Sequence, residues 1–310
     1  MTDFKINTPV AFVIFNRPDT TERVFAEIAK AKPPKLFVVG DGARVGIEGE
    51  AEKVAAARAI IDRVDWDCDV LTNFSEINMG CKRRISTGLD WVFEQVEEAI
   101  ILEDDCLPHS TFFRFCEELL TRYRDDKRIS MISGDNFQFG MSVTQNSYYF
   151  STYTHIWGWA TWRDRWQSSN DVELIKWPLV RDEQCLQHLF NIKHESIYWK
   201  KIFEQTFCGK INSWAYGWFF ENLLKGKVSV VPNVNLISNI GFGRDDATHT
   251  QMITKEANIQ TSPIIFPLVH PSFNVVNKAA DNFYYRTFLH RSIYKRLRNK
   301  ITFIIKSLIR

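Results

Sequence analysis

Several familiar signatures are missing from this chain of 310 residues. Its six cysteines (Cys68, Cys81, Cys106, Cys116, Cys185 and Cys208) form no CxxC pair. That argues against a zinc ribbon or a small disulfide scaffold and favours a reducing compartment. No apolar run approaches the roughly 18 residues of a spanning helix. The first residues lack the basic-then-apolar pattern of a leader. Charge of one sign is also scarce: 39 Lys+Arg against 37 Asp+Glu leave a net +2, so no dominant nucleic-acid surface is expected. There is no GxGxxG after the first apolar run, no P-loop pattern and no GxSxG elbow. These absences speak against dinucleotide oxidoreductases, P-loop enzymes and α/β-hydrolases. The expectation is a soluble or peripheral protein on the cytoplasmic side.

What is present is an ordinary globular balance, 45% hydrophobic and 25% charged, with an excess of aromatics that includes 24 Phe and 10 Trp. The length suits one large domain or two small ones. Residues 10–15 (VAFVIF), 36–39 (LFVV), 99–102 (AIIL) and 129–133 (ISMIS) are continuous apolar runs, as expected of strands covered on both faces. Residues 69–72 read as a further short strand. Between them, residues 20–31, 51–64, 85–96 and a segment with Phe112, Phe115, Cys116, Leu119 and Leu120 carry helical patterns, the last with Ser110 as its expected cap. Strands alternating with helices predict an α/β fold with a mostly parallel central sheet and helices on both faces. Ligands of such sheets bind beyond the carboxyl ends of the strands. Three strand ends carry polar clusters: Asn16-Arg17, Asp41-Gly42 and Glu103-Asp104-Asp105. On this reading they share one rim.

The acidic triplet is the sharpest signal. Carboxylates at the mouth of a pocket are hard oxygen donors, which suit Mg²⁺ or Mn²⁺ bound together with substrate phosphates. A departing nucleoside diphosphate needs such neutralisation because its charge grows as the bond breaks. The bland alternative is that Asp104 and Asp105 merely precede a helix N-terminus, where anions are favoured. Asp41 is well placed to accept from a base or ribose.

The ordered motifs FNRP (15–18), DG (41–42), NMGCKRRISTGLDW (78–91), LEDDCLP (102–108), SGDN (133–136), HIWGWATW (155–162), SWAYGW (213–218) and NLISNIGFGRDDATH (235–249) together resemble the GT-A nucleotide-sugar glycosyltransferases. They are most similar to bacterial family-2-like enzymes, and more distantly to the N-acetylglucosaminyltransferase that starts complex N-glycans. The resemblance spans residues 8–250. It implies a GT-A, Rossmann-like domain over 1–283, with a nucleotide-binding half (1–135) and an acceptor-binding half (136–283). It further implies a nucleotide site lined by Asn16 and Arg17, with Asp41 on a uracil or equivalent base. Asp104 and Asp105 match a DXD-like element, with Asp105 the direct ligand of Mn²⁺ or Mg²⁺ and Glu103 beside them. Trp214 walls the sugar or acceptor site. Ser238, Asn239 and Gly241 belong to a loop that closes over the diphosphate, and His249 is a second metal ligand or phosphate contact. The donor is then a nucleotide-diphosphate sugar, a UDP-sugar first among them.

One departure stands out. Inverting relatives carry an Asp directly after the Trp that matches Trp214, as general base for the acceptor hydroxyl; here that position is Ala215. Three readings stay open: Asp135, Glu221 or Asp245 replaces it, the position has been altered to trap a complex, or the protein is slow or silent. Inverting transfer needs a carboxylate within hydrogen-bond reach of the nucleophile.

Other residues have two readings each. Trp157 and Trp159 are an acceptor platform or core. Arg83 and Arg84 reach phosphate bidentately or sit on a solvated helix face. His155 is a catalyst or a satisfied structural residue. Asp245 and Asp246 fit a turn, and the cysteines fit small buried apolar sites.

The last 27 residues, 284–310, hold eight basic residues and no acidic one. At 100° per residue, Ile293, Tyr294, Leu297, Ile301, Ile304, Ile305 and Leu308 fall within an arc of about 120°. A basic amphipathic helix of this kind suits an anionic membrane interface, or else a helix docked on the domain. The expected function is metal-dependent, inverting sugar transfer to a glycan or lipid-linked acceptor in surface polysaccharide or lipopolysaccharide assembly, peripheral on the inner face of the membrane. A silent nucleotide-sugar or glycan-binding protein and a sugar nucleotidyltransferase remain as alternatives. The last of these normally shows a Gly-rich basic loop after its first strand, which is absent here.

Overall fold

The structure is a computed structural model that describes residues 5–190, 192–244 and 257–289. His249, Asp245, Asp246 and residues 290–310 of the basic tail lie outside the described residues.

The first half alternates as its periodicity predicts. Strand β1 (Val10–Ile14) leads to helix α1 (Pro18–Ala31), β2 (Lys35–Gly40), α2 (Glu50–Ala59), β3 (Asp69–Phe74), α3 (Gly80–Gln95) and β4 (Glu98–Glu103). A short strand β5 (Cys106–Pro108), helix α4 (Thr111–Tyr123) and β6 (Ile129–Ser133) follow. The second half contributes β7 (Tyr148–Ser151), β8 (Trp159–Trp162), α5 (Arg163–Ser169), α6 (Trp177–Asp182), α7 (Leu186–Leu189), α8 (Lys193–Phe207), α9 (Ala215–Leu224), β9 (Val228–Pro232), β10 (Ile237–Asn239) and α10 (Lys278–Tyr284).

Eight strands make one sheet in the order β3-β2-β1-β4-β8-β6-β9-β7. The neighbours β3, β2, β1 and β4 are parallel, as are β6 and β9, whereas β8 and β7 run antiparallel to theirs. This is the expected α/β class, a mostly parallel central sheet with helices on both faces. Side-chain alternation explains the layers. Val10, Phe12 and Ile14 join Leu36, Val38, Ile100 and Leu102 under α1 and α4. Ala11, Val13, Phe37, Val39, Ala99 and Ile101 face the other way, against Ile85, Leu89, Val92 and Phe93 of α3 and the indoles of Trp159, Trp166, Trp214 and Trp218.

Three local expectations change. Ser110 makes no side-chain cap; instead His109 serves the start of α4, its Nδ1 accepting from Thr111 N at 3.2 Å and its carbonyl from Phe112 N at 2.9 Å. The helix expected over 51–64 ends at Ala59 and continues as a 3₁₀ turn, Ile61–Arg63. Strand β3 runs two residues further than expected, because as an edge strand it is held by β2 alone and half exposed, so its apolar pattern is weak.

A separate two-stranded ribbon pairs β5 with β10 antiparallel, with Asn239 opposite Cys106 and Ser238 opposite Leu107. It fastens the chain after the acidic triplet to a segment more than a hundred residues later.

Candidate functional site

The carboxyl ends of β1 and β4 are adjacent because those strands pair, Val13 opposite Glu103. Register therefore brings Asn16-Arg17 and Glu103-Asp104-Asp105 together. Phe15 N donates to Asp104 Oδ2 at 3.0 Å, and Arg17 Nη1 donates to Asp105 Oδ2 at 2.7 Å and reaches Asp104 Oδ1 at 3.5 Å. Both aspartates are largely buried, and the Arg17 side chain is 12% exposed. Among the described residues, one guanidinium and three carboxyl groups come together here. Burial, then the charges of Asp105 and Asp104, push the Glu103 carboxyl up to about 8, with Arg17 opposing.

The roof of this cluster is the turn after β10. Ile240 N donates to the Asp105 carbonyl at 2.8 Å, and Gly241 N to Asn239 Oδ1 at 3.0 Å. A Cβ at Gly241 would fall 2.2 Å from Asp105 Oδ2, so only glycine lets the backbone lie against that carboxylate. Ser238 and Asn239 stand in the same ribbon, Asn239 buried and Ser238 half-buried.

Asp41, at the end of β2, is saturated from within. Its carboxylate accepts from Gly42 N (2.9 Å), Met79 N (2.8 Å), Gly80 N (2.9 Å) and Asn78 Nδ2 (3.2 Å). It thus anchors the start of α3, supplying acceptors to amides that a helix N-terminus leaves unpaired. Gly42 lets two loops touch, since a Cβ there would lie 2.5 Å from the Ile77 carbonyl carbon. Asn16 turns away from the cluster and donates to Glu50 Oε1 at 2.8 Å, where Arg44 also binds. It braces the start of α2.

Cys81, expected only as small buried packing, is half-buried at the start of α3. Burial, then Glu103, Asp105 and Asp41, push its thiol up, while Arg17 opposes. A cysteine within a conspicuous NMGCKRR stretch is the sequence signal that could have found it.

Several named residues do other work. Arg84 is buried rather than turned to phosphate: Nε donates to the Gly40 carbonyl at 3.1 Å and Nη2 to Asn73 Oδ1 at 2.8 Å. Those bonds tie the ends of β2 and β3. Arg83 is exposed on α3. Of its two readings Trp159 takes the core one, and Trp214, expected to wall the sugar or acceptor site, is core as well: they are 1% and 2% exposed and stack with centroids 5.7 Å apart. Trp157 is half-buried, its ring against Phe137 and Phe242. His155 is buried among Phe137, Tyr153 and Tyr284, and desolvation lowers it to about 3, so it is a neutral structural histidine.

The base candidates differ sharply. Asp135, 1% exposed, accepts from Trp157 N at 2.9 Å through Oδ2, while Oδ1 is buried with no hydrogen-bond partner among the described residues. Burial raises its carboxyl well above the usual range, against that amide bond. Glu221 is not set up as a base. Burial alone would raise it, but Lys176 (2.7 Å) and Lys225 (3.0 Å) outweigh that and hold it below the ordinary range. Ala215 opens α9, packed against the indole layer. Asp245 lies outside the described residues.

Among the described residues no group of three His, Cys, Asp or Glu side chains is arranged to hold a metal alone. The carboxylate oxygens of Asp105 and Asp104 are nevertheless the hard donors that suit a dication bringing phosphate oxygens as its remaining ligands.

No family model and no curated protein matches the chain. Among solved structures it is similar to a UDP-glucose pyrophosphorylase complexed with UDP-glucose, at 10% identity over 73% of this chain and 90% of that one, TM-score 0.36. It is also similar to the galactosyltransferase LgtC in complex with donor and acceptor sugar analogues, at 10% identity over 81% and 85%, TM-score 0.34.

Proposed function

We propose that this chain is a glycosyltransferase. It moves a sugar from a nucleotide-diphosphate sugar, a UDP-sugar first among them, to a hydroxyl of a glycan or lipid-linked acceptor in cell-surface polysaccharide or lipopolysaccharide assembly. The observation that carries this reading is the Arg17 guanidinium set against Asp104 and Asp105 at the joined ends of β1 and β4, under the Gly241 turn.

Breaking the bond between the anomeric carbon and the diphosphate leaves negative charge on the departing group, and groups placed in advance to receive it lower the barrier. Arg17 is such a group, a fork of N–H donors suited to phosphate oxygens. Asp105, with His249 outside the described residues, would hold Mn²⁺ or Mg²⁺, which supplies positive charge to the diphosphate when bound. The β5–β10 ribbon keeps Ser238 and Asn239 over the same place. Inversion is the expected course, and Asp135 is the described base candidate whose raised affinity for a proton suits the role. The enzyme works peripherally on the cytoplasmic face of a membrane, held there by residues 284–310.

A second reading, donor binding without transfer, draws on Ala215, on the doubly ion-paired Glu221 and on the burial of Asp135. One assay separates them. The protein is incubated with UDP-, GDP- and CMP-sugars plus Mn²⁺, and nucleotide release is measured with and without glycan or lipid acceptors. Metal-dependent release is expected. Tight nucleotide binding with no release leaves the second reading, and no binding of any nucleotide overturns both.

A further inference from the structure

A cleft lies at the end of the sheet opposite the carboxylate cluster. The strand β4 that finishes at Glu103 starts at Glu98. Five residue steps separate the two, about 16 Å at the rise of a strand. The cleft around that starting end has a volume of about 610 Å³, within the range of small-ligand sites. Strand pairing builds it. β8 runs antiparallel to β4 and sets Trp162 opposite Glu98. Pro9, just before β1, is tied in by its carbonyl, which accepts from Ile100 N at 2.9 Å.

Pro9, Val96 and Trp162 give the cleft an apolar wall. That wall is preformed. Arg165, 1% exposed, lies with its guanidinium carbon 4.2 Å from the centroid of the Trp162 ring. Its Nη2 donates to the carbonyls of Tyr123 (3.0 Å), Arg124 (2.6 Å) and Asp126 (3.2 Å). It thereby closes the end of α4, where a helix leaves carbonyls without partners of its own.

The rim of the cleft is mixed in sign. Arg124 donates to Glu98 from Nε at 3.2 Å and from Nη2 at 2.9 Å, and Lys127 pairs with Asp164 at 2.6 Å. With Glu97 and Arg165, the lining holds three cations and three carboxylates. A charged ligand gains little there, because each favourable contact comes with a like charge close by. A ligand made of neutral hydroxyls gains more. Every hydroxyl both donates and accepts, and hydrogen bonds to charged side chains are the stronger kind. A sugar ring adds a C–H face that suits the Pro9, Val96 and Trp162 wall.

We propose that this cleft is a second binding site, one for a neutral saccharide, separate from the carboxylate cluster. It would hold rings of a glycan remote from the sugar being transferred. That last statement rests on the transfer reading above; the saccharide contact itself does not.

The test uses the full chain with four neutral disaccharides as probes: maltose, cellobiose, lactose and N,N′-diacetylchitobiose. Saturation-transfer NMR should detect at least one of them at about 10 mM, and the signal should persist when UDP and Mn²⁺ are added. Glu98→Gln and Lys127→Ala, both in ion pairs at the rim, should each weaken that disaccharide by roughly fivefold or more. An acidic disaccharide cut from hyaluronan and the cationic chitobiose that lacks acetyl groups should each bind less well than the neutral probe. No signal from any neutral disaccharide, a signal displaced by UDP, a signal that either variant leaves unchanged, or a preference for either charged disaccharide overturns the proposal. UDP affinity, measured on the same preparations, reports on the donor site independently and should match the parent's in both variants.

Discussion

Arg17 Nη1 lies 2.7 Å from Asp105 Oδ2, and the same guanidinium nitrogen is 3.5 Å from Asp104 Oδ1. A cation from the end of one strand is thus paired with carboxylates from the end of its neighbour, at side chains that are largely buried. Removing one member of a nearly buried pair leaves the other charge uncompensated and costs ~3 kcal/mol. Arg17→Met should therefore lower the melting temperature and weaken UDP binding by tenfold or more, the first read by calorimetry and the second by titration. Asp105→Ala should abolish the metal-dependent part of nucleotide binding; unchanged affinity would remove Asp105 from the site.

Gly241→Ala tests the roof. Its new methyl would have to displace the Asp105 carboxylate, which lies 2.2 Å from the Cβ position. The expected outcome is a loss of UDP affinity of roughly tenfold with the far-ultraviolet circular dichroism unchanged. Full affinity in that variant would show that the turn does not bear on donor binding.

Glu221 offers a contrast in sign. Its carboxyl is held below the ordinary glutamate value near 4.5 by Lys176 and Lys225 despite its burial. The stability it contributes is present above pH 4.5 and lost as pH falls through its lower folded value. Glu221→Gln should lower the melting temperature at neutral pH, and that deficit should shrink toward acid pH. Turnover per folded molecule should stay near the parent's, because a carboxylate clamped by two ammonium groups makes a poor base. A collapse of turnover without loss of stability would restore Glu221 as a catalytic candidate.

Glu195 works in the opposite direction. On α8 it accepts a hydrogen bond from Tyr153, yet burial, with Asp281 nearby, raises it to about 7. The folded state then holds its proton more tightly than the unfolded chain, so this contribution is complete below about pH 4.5 and disappears as pH rises through 7. Glu195→Gln, which stays neutral, should become more stable relative to the parent as pH is raised from 5 to 8. Parallel melting curves across that range would contradict the assignment.

Legibility followed burial. β1, β2, β4 and β6 are covered on both faces, so their apolar runs stood out, and the helices between them declared themselves by spacing. The antiparallel members were not read. β8 is a four-residue strand whose WATW looks like a platform motif, and β5 and β10 are three residues each. Such pieces become strands only when a partner distant in sequence arrives. The same limit explains Trp159 and Trp214: aromatic residues in polar, turn-like surroundings suit either a surface or a core, and only packing against Trp166 and Trp218 separates the two.

The sequence by itself determined the alternation of elements, the class of sheet, the polar clusters that end its strands and the charge asymmetry of the tail, since each depends on neighbours along the chain. Tertiary structure alone decided that Arg17 pairs with Asp105, that Asp41 is consumed by the start of α3, that Gly241 lies on a carboxylate, and which tryptophans are interior. Those relations join residues tens to hundreds of positions apart, and a hydrogen bond or a steric limit exists only once the strands have set their register.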